Sequence, residues 1–150
     1  MRPLTPTLAL AAALALTAPA ANADECYTRT YDRAHLARHP DQRVTSVRLR
    51  VTHSPDWLKV WFKVWFTLRG GNEPVKSEGV CLEGGHCYVE CDGGGLDFQQ
   101  AAGGLIMRLD HIRVAKCGQD LTDVGRSPEV TGGVDDRVFR LDRSPCEGQW

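Results

Sequence analysis

The chain has 150 residues, and its 18 Lys and Arg against 19 Asp and Glu leave a formal net charge of −1. This near balance argues against a nucleic-acid-binding domain, whose footprint is strongly basic, and we expect no nucleic acid among the partners. The length suits a single domain with a hydrophobic core of its own.

The N-terminal residues have the three parts of a secretory signal. Arg2 provides the positive charge, residues 8–17 (LALAAALALT) the short apolar stretch, and Ala21-Asn22-Ala23 a small-residue cleavage site before Asp24. The apolar stretch is too short to span a bilayer. We therefore predict a bacterial-type signal peptide over residues 1–23 and a single domain over 24–150. The protein is expected to be exported to the periplasm or the medium without spanning a membrane.

The next elements are a short helix and two long strands. Residues 33–38 (RAHLAR) predict one or two helical turns that end before Pro40. Residues 44–51 and 58–69 then alternate, with apolar side chains on one face and mainly cations and tryptophans on the other, as strands do. Residues 53–56 (HSPD) between them predict a turn, so that the two strands form a hairpin.

Shorter strands follow, separated by glycine-rich turns. We predict a tight turn at Asp110-His111 and a long loop over residues 118–133, which are rich in turn formers. The remaining strands are predicted at 79–82, 87–91, 96–100, 105–109, 112–117 and 137–141. About eight strands at this spacing predict an all-β, single-domain antiparallel β-sandwich or small barrel with one short N-terminal helical turn.

All six cysteines lie beyond the predicted cleavage site, so export would allow their oxidation. Six cysteines permit 15 pairings. Cys81 and Cys87 are symmetric about Gly84, and a hairpin turning there would bring them opposite each other. The preferred set is Cys81 with Cys87, Cys91 with Cys117, and Cys26 with Cys146 joining the two ends; Cys81 with Cys91 is the main competitor.

The second long strand carries the most distinctive surface pattern of the sequence. Residues 27–69 contain nine basic and three acidic residues, whereas residues 70–150 contain eight and fourteen. Two tryptophans alternate with cations on one face of this strand, and two arginines are expected on the strand beside it. This predicted ligand-binding set comprises Lys59, Trp61, Lys63, Trp65, Arg69, Arg48 and Arg50. Flat rings next to cations suit an anionic or sugar polymer. The alternative is that both rings pack under residues 33–40.

Motifs of known catalytic chemistry are absent from the sequence: there is no Gly-x-Ser-x-Gly, His-Glu-x-x-His, Walker or dinucleotide-binding pattern. We predict no catalytic residues and no cofactor. The pairs His35/His39 and Cys87/Cys91 have spacings that metal sites sometimes use. Oxidation would remove the thiolates and a solvated turn suits the histidines, so no metal is predicted.

The sequence thus leads to three hypotheses about function. The first is an exported, non-enzymatic binding or envelope-associated module whose Trp/Lys face recognises anionic envelope glycans or lipid head groups. The second is an exported inhibitor or protein-interaction module that uses the loop at 118–133. The third is a hydrolase of unrecognised type, which a deep pocket with converging histidine and aspartate would favour.

Overall fold

The computed structural model describes residues 24–54, 59–82, 85–91, 93–112, 130 and 134–147. Within these ranges every strand pairs antiparallel with the next one along the chain, and the last pairs with the first, so the sheet closes into a barrel. The strands are β1 (Glu25–Thr30), β2 (Val44–His53), β3 (Val60–Leu68), β4 (Val75–Cys81), β5 (His86–Val89), β6 (Gly94–Ala101), β7 (Gly104–Ile112) and β8 (Val138–Ser144). The all-β antiparallel prediction is confirmed, with the barrel as the form it takes.

The hairpin of β2 and β3 follows the predicted alternation. Val47, Leu49 and Val51 point into the barrel, and Phe66, Val64 and Phe62 lie opposite them on β3. All six are at most 5 % exposed. Full burial of one such side chain is worth about 1.5–3 kcal/mol, so this hairpin supplies a large part of the core. The predicted turn at 53–56 lies mostly outside the described residues.

The first strand, β1, is missing from the sequence prediction. Its six residues, ECYTRT, contain two buried side chains that point in opposite directions, so no polar–apolar alternation marks it. Tyr27 faces Leu49 inside the barrel, whereas Cys26 faces outward and is covered through its disulfide. Tertiary packing determines this strand, and the pattern of its local sequence does not predict it.

Two predicted boundaries are wrong. Asp110-His111 is not a turn, because β7 continues through both residues and pairs with Gly94 and Gly95 up to Ile112. The strand predicted over 87–91 ends at Val89, and Cys91 adopts a positive φ of 62°. Of the strand predicted at 112–117, only Ile112 lies within the described residues.

The predicted loop at 118–133 also lies outside the described residues, apart from Val130. That residue is fully buried, and its N–H donates to the carbonyl of Ile112.

A six-residue helix, α1 (Arg33–Arg38), confirms the predicted helical segment and lies at one end of the barrel. Its N-cap Asp32 accepts the His35 N–H at 2.6 Å. The segment after it is anchored by the buried Gln42, whose Oε1 accepts from His35 Nε2 and whose Nε2 donates to the Val44 carbonyl. The 3-10 turn Val134–Asp136 completes this end, since Asp136 accepts the N–H groups of residues 43 and 44.

Two disulfides match the predicted pairings. Cys26 bonds to Cys146, and Cys81 bonds to Cys87, which lies directly opposite it on the neighbouring strand. Cys91 is also disulfide-bonded, and its predicted partner Cys117 lies outside the described residues. Such bridges persist in oxidising compartments and indicate an exported environment.

Each of the two bridges spans one of the shortest strand pairings of the described barrel. β1 pairs with β8 over three residue pairs, and β4 pairs with β5 over three, whereas β2 and β3 pair over nine. Covalent bonds thus reinforce the places where the hydrogen-bond ladder is short. No helix among the described residues is long and apolar enough to cross a membrane, and the predicted signal peptide lies outside them.

Candidate functional site on the outer face of the barrel

The outward side chains of β2, β3 and β4 form three parallel rows. One row holds Thr52, Trp61 and Val80; the next holds Arg50, Lys63 and Glu78; the third holds Arg48, Trp65 and Lys76. Side chains directly opposite on neighbouring strands lie about 5 Å apart at Cβ. The structure therefore places the predicted residues Arg48 and Arg50 beside Trp65 and Lys63. We call these nine residues, together with Tyr88 on β5, the outer face.

The two most exposed rings of the outer face lie in the same row. Trp61 is 45 % exposed and Tyr88 is 51 % exposed, with Val80 between them. Two strand spacings separate the rings, which corresponds to about 10 Å between their backbones. Grouped exposed apolar side chains are a feature of many interaction surfaces, whereas isolated ones are common on any protein surface.

The second tryptophan has a different environment. Trp65 is half-buried, and the guanidinium of Arg48 lies 5.9 Å from the centre of its ring, within cation–π range. The two tryptophans of β3 are therefore not equivalent, although the alternating sequence treats them alike. The alternative that α1 covers both rings is not what the structure has, because Trp61 is open to solvent.

The charges of the middle row are partly compensated within the outer face. Lys76 Nζ donates to Glu78 Oε2 at 2.8 Å, and Lys63 Nζ lies 3.8 Å from the same oxygen. The hydrogen bond from Lys76 holds the pKa of Glu78 below its ordinary value, and the charge of Lys63 adds to this effect. One carboxylate thus serves two ammonium groups, and the row keeps a net positive charge.

The remaining predicted residues lie at the margins of this face. Arg50 Nε is 3.6 Å from the carboxylate of Asp24, and Lys59 is exposed immediately before β3. Arg69 serves the fold instead: its Nε donates to the Gln42 carbonyl, and its Nη2 donates to the carbonyls of Leu36 and His39. These hydrogen bonds tie the helical segment to the barrel.

No known protein family, curated protein or solved structure matches this chain. Any assignment of function therefore depends on the chemistry of its surfaces.

The histidine pair whose spacing resembles that of metal ligands makes other contacts. The rings of His35 and His39 stack with centroids 4.4 Å apart, and His39 Nδ1 lies 3.2 Å from Asp135 Oδ2. Across the described ranges no group of three or more His, Cys, Asp or Glu side chains converges as a metal site would require.

Five members of the outer face were missed from the sequence: Thr52, Val80, Lys76, Glu78 and Tyr88. Lys76 and Glu78 lie on the first half of β4, where residues 75–80 (VKSEGV) alternate weakly and no strand was predicted. Tyr88 lies between the buried residues Cys87 and Val89, and this alternation alone would have placed its ring outside.

Proposed function

We propose that this protein is an exported, non-enzymatic binding protein whose outer face holds an anionic polysaccharide of the cell envelope. One observation carries the proposal: Trp61 and Tyr88 stand exposed in one row, and the adjacent rows carry Arg48, Arg50, Lys63 and Lys76. Exposed rings offer flat apolar surfaces for sugar rings to stack on, and the cations offer partners for carboxylate or sulfate groups.

A glycan is favoured over a lipid head group by the shape of this surface. The exposed rings are separated across the strands, about 10 Å apart, so that an extended chain can lie over both of them. Its acidic substituents would then meet the row of Arg50, Lys63 and Glu78, which runs parallel to the rings. Membrane association would require apolar side chains to enter the bilayer together, whereas here a cationic row lies beside the apolar one.

The test is a titration of the mature protein with alginate oligosaccharides, in which tryptophan fluorescence reports binding. We expect saturable quenching or a spectral shift that weakens as salt is added, because exposed charges are screened beyond a Debye length of about 10 Å at 0.1 M. Neutral dextran oligosaccharides of the same length should bind much more weakly. Vesicles of phosphatidylglycerol are the second arm, and binding to vesicles without binding to alginate would overturn the choice of glycan.

Variants separate the rings from the charges. Trp61→Ala combined with Tyr88→Ala should weaken alginate binding at least about fivefold, since one lost cation–π or stacking contact is worth about 1 kcal/mol. Val138→Ala is the matched control, because Val138 is 56 % exposed on another strand and should leave binding unchanged. Isothermal titration calorimetry replaces tryptophan emission as the readout for the first variant, because that variant lacks the reporting ring of Trp61.

Glu78→Gln provides a gain-of-function test. It removes the carboxylate that compensates Lys63 and Lys76, so the polyanion should bind about two- to fivefold more tightly, in line with surface ion pairs worth up to about 1 kcal/mol. Unchanged or weaker binding by this variant would contradict the role given to the cationic row.

The compartment is tested separately. Expression of the full chain in a bacterial host should release a mature form that begins at Asp24, detected by intact mass in the periplasm or medium. A cytoplasmic protein that retains residues 1–23 would overturn export.

A further inference from the structure

At the end of the barrel opposite α1, the described residues line a cavity of about 240 Å³ between the ends of the strands. Its walls are apolar: Val51 and Leu105 belong to the buried core, and Val60 and Phe98 pack against it. Among the described residues, the α1 end is covered by the helix and the 3-10 turn, whereas this end carries the cavity. Small closed barrels of eight strands have room for one small ligand at such a mouth.

Polar groups converge at one side of the cavity, on the seam between the first and last strands. Tyr27 OH donates to Glu25 Oε2 at 3.0 Å, and Arg143 Nη2 donates to Glu25 Oε1 at 3.3 Å. Tyr27 itself is only 2 % exposed. Burial, followed by the neighbouring Glu25, raises the pKa of Tyr27, so its hydroxyl remains a donor. The Glu25 carboxylate is thus held in a fixed position.

Glu25 retains capacity for further donors, since each of its oxygens accepts one of the hydrogen bonds described above. Each carboxylate oxygen can accept two hydrogen bonds. The ring of His53 also lines the cavity, but its Nε2 is 3.8 Å from Glu25 Oε2, which is beyond hydrogen-bond distance. A hydroxyl or amine N–H placed in the cavity can reach the carboxylate from the apolar side.

We propose that this mouth is a second binding site, distinct from the outer face, for a small aromatic molecule that carries one hydroxyl or amine donor. The donor bonds to Glu25, and the ring lies between Val51, Val60, Phe98 and Leu105. Size sets the upper limit: an apolar cavity of about 150 Å³ holds a single benzene ring, so this cavity, roughly 1.6 times larger, has room for two fused rings. The charge of Glu25 already faces Arg143, so a neutral ligand is preferred.

The experiment compares 2-naphthol with naphthalene, which has the same rings but no donor. Binding to the oxidised mature protein is followed by the probe's own emission, and by amide shifts in 15N–1H spectra. We expect a dissociation constant of about 0.1 mM for 2-naphthol, with shifts concentrated at Val51, Val60, Phe98 and Leu105. Naphthalene should bind about three- to tenfold more weakly, because one hydrogen bond is lost.

Two variants localise the site. Val60→Phe fills the cavity from a half-buried wall position and should weaken both probes at least tenfold, with the far-UV spectrum confirming the fold. Glu25→Gln should bring the two dissociation constants closer together, and this ratio is insensitive to a general loss of stability. The Trp61→Ala, Tyr88→Ala variant should bind both probes as the unmodified protein does.

The proposal fails if no saturable response is seen up to the solubility of 2-naphthol. It also fails if Val60→Phe binds normally, or if the preference for 2-naphthol survives Glu25→Gln. None of these results depends on alginate binding, so the proposals for the mouth and for the outer face are tested independently.

Discussion

The two disulfides close loops of very different length, and their removal should therefore cost different amounts of stability. Cys26 and Cys146 are separated by 120 positions, Cys81 and Cys87 by 6. In the chain-entropy model a bridge acts on the unfolded state, and its effect grows with the logarithm of the loop length. This gives about 4.9 kcal/mol for the long loop and about 2.2 kcal/mol for the short one.

These free energies translate into separable melting temperatures. A chain of about 125 residues unfolds with an entropy of about 260 cal/mol/K near 60 °C. Replacing Cys26 and Cys146 together by alanine should then lower the Tm by about 18 °C, against about 8 °C for the Cys81 and Cys87 pair. Alanine is preferred to serine because three of these four side chains are at most 5 % exposed. A buried hydroxyl without a hydrogen-bond partner would lower the stability further.

The measurement is thermal unfolding followed by far-UV circular dichroism, with both double variants under the same oxidising conditions. Each variant should keep the β-sheet spectrum at low temperature, because neither bridge is needed to form a strand. Equal losses, or a larger loss from the Cys81 and Cys87 pair, would refute the loop-length reasoning. Native-state contacts at the bridge would then be the main contribution.

Two further predictions concern β4. A Cβ on Gly79 would lie 2.0 Å from the Tyr88 carbonyl oxygen and 2.8 Å from Phe62 Cζ, so Gly79→Ala should cost at least about 2 kcal/mol in urea unfolding. Gly85→Ala, which meets no atom but has a φ of +87°, should cost only about 1 kcal/mol, and an equal cost would contradict this explanation. The pKa of Glu78 is lower in the folded protein than its ordinary value of 4.5. The contribution of the Glu78 carboxylate to folding stability is therefore fully present above pH 4.5, and it is lost as the pH falls through the folded-state pKa. The stability difference between the unmodified protein and Glu78→Gln, up to about 1 kcal/mol at neutral pH, should vanish in strongly acid solution; a difference that persists there would show that the ion pairs are not its source.

Local patterning was sufficient for most of the fold. Alternation predicted β2 and β3 together with their inward faces, and a glycine-rich turn separated the predicted strands at 96–100 and 105–109, which correspond to β6 and β7. Both signals are local, since alternation sorts side chains between two faces and glycine relieves a tight turn. The symmetric spacing of Cys81 and Cys87 about a turn is a local signal of the same kind.

Features that depend on distant partners could not be predicted in this way. β1 is a strand because its backbone pairs with β2 and β8 while Tyr27 fills the barrel interior, and these partners are remote in sequence. The sequence placed Arg69 among the surface cations, and it gave no sign that this side chain donates hydrogen bonds to the carbonyls of Leu36 and His39. The cavity at the mouth was not predicted at all, because it is built from the ends of strands that are remote in sequence.

Because β1 pairs with β8, the closed barrel does not depend on where along the strand order the chain begins. The Cα atoms of Cys26 and Cys146 are 5.2 Å apart, and a short peptide could join the two ends where the disulfide now does. New ends could be opened in the exposed connection between β3 and β4, at residues 70–73, on the side of α1 and away from the mouth. Such a circular permutant would keep every strand neighbour, exchange a bond that depends on redox conditions for one that does not, and leave the outer face unchanged.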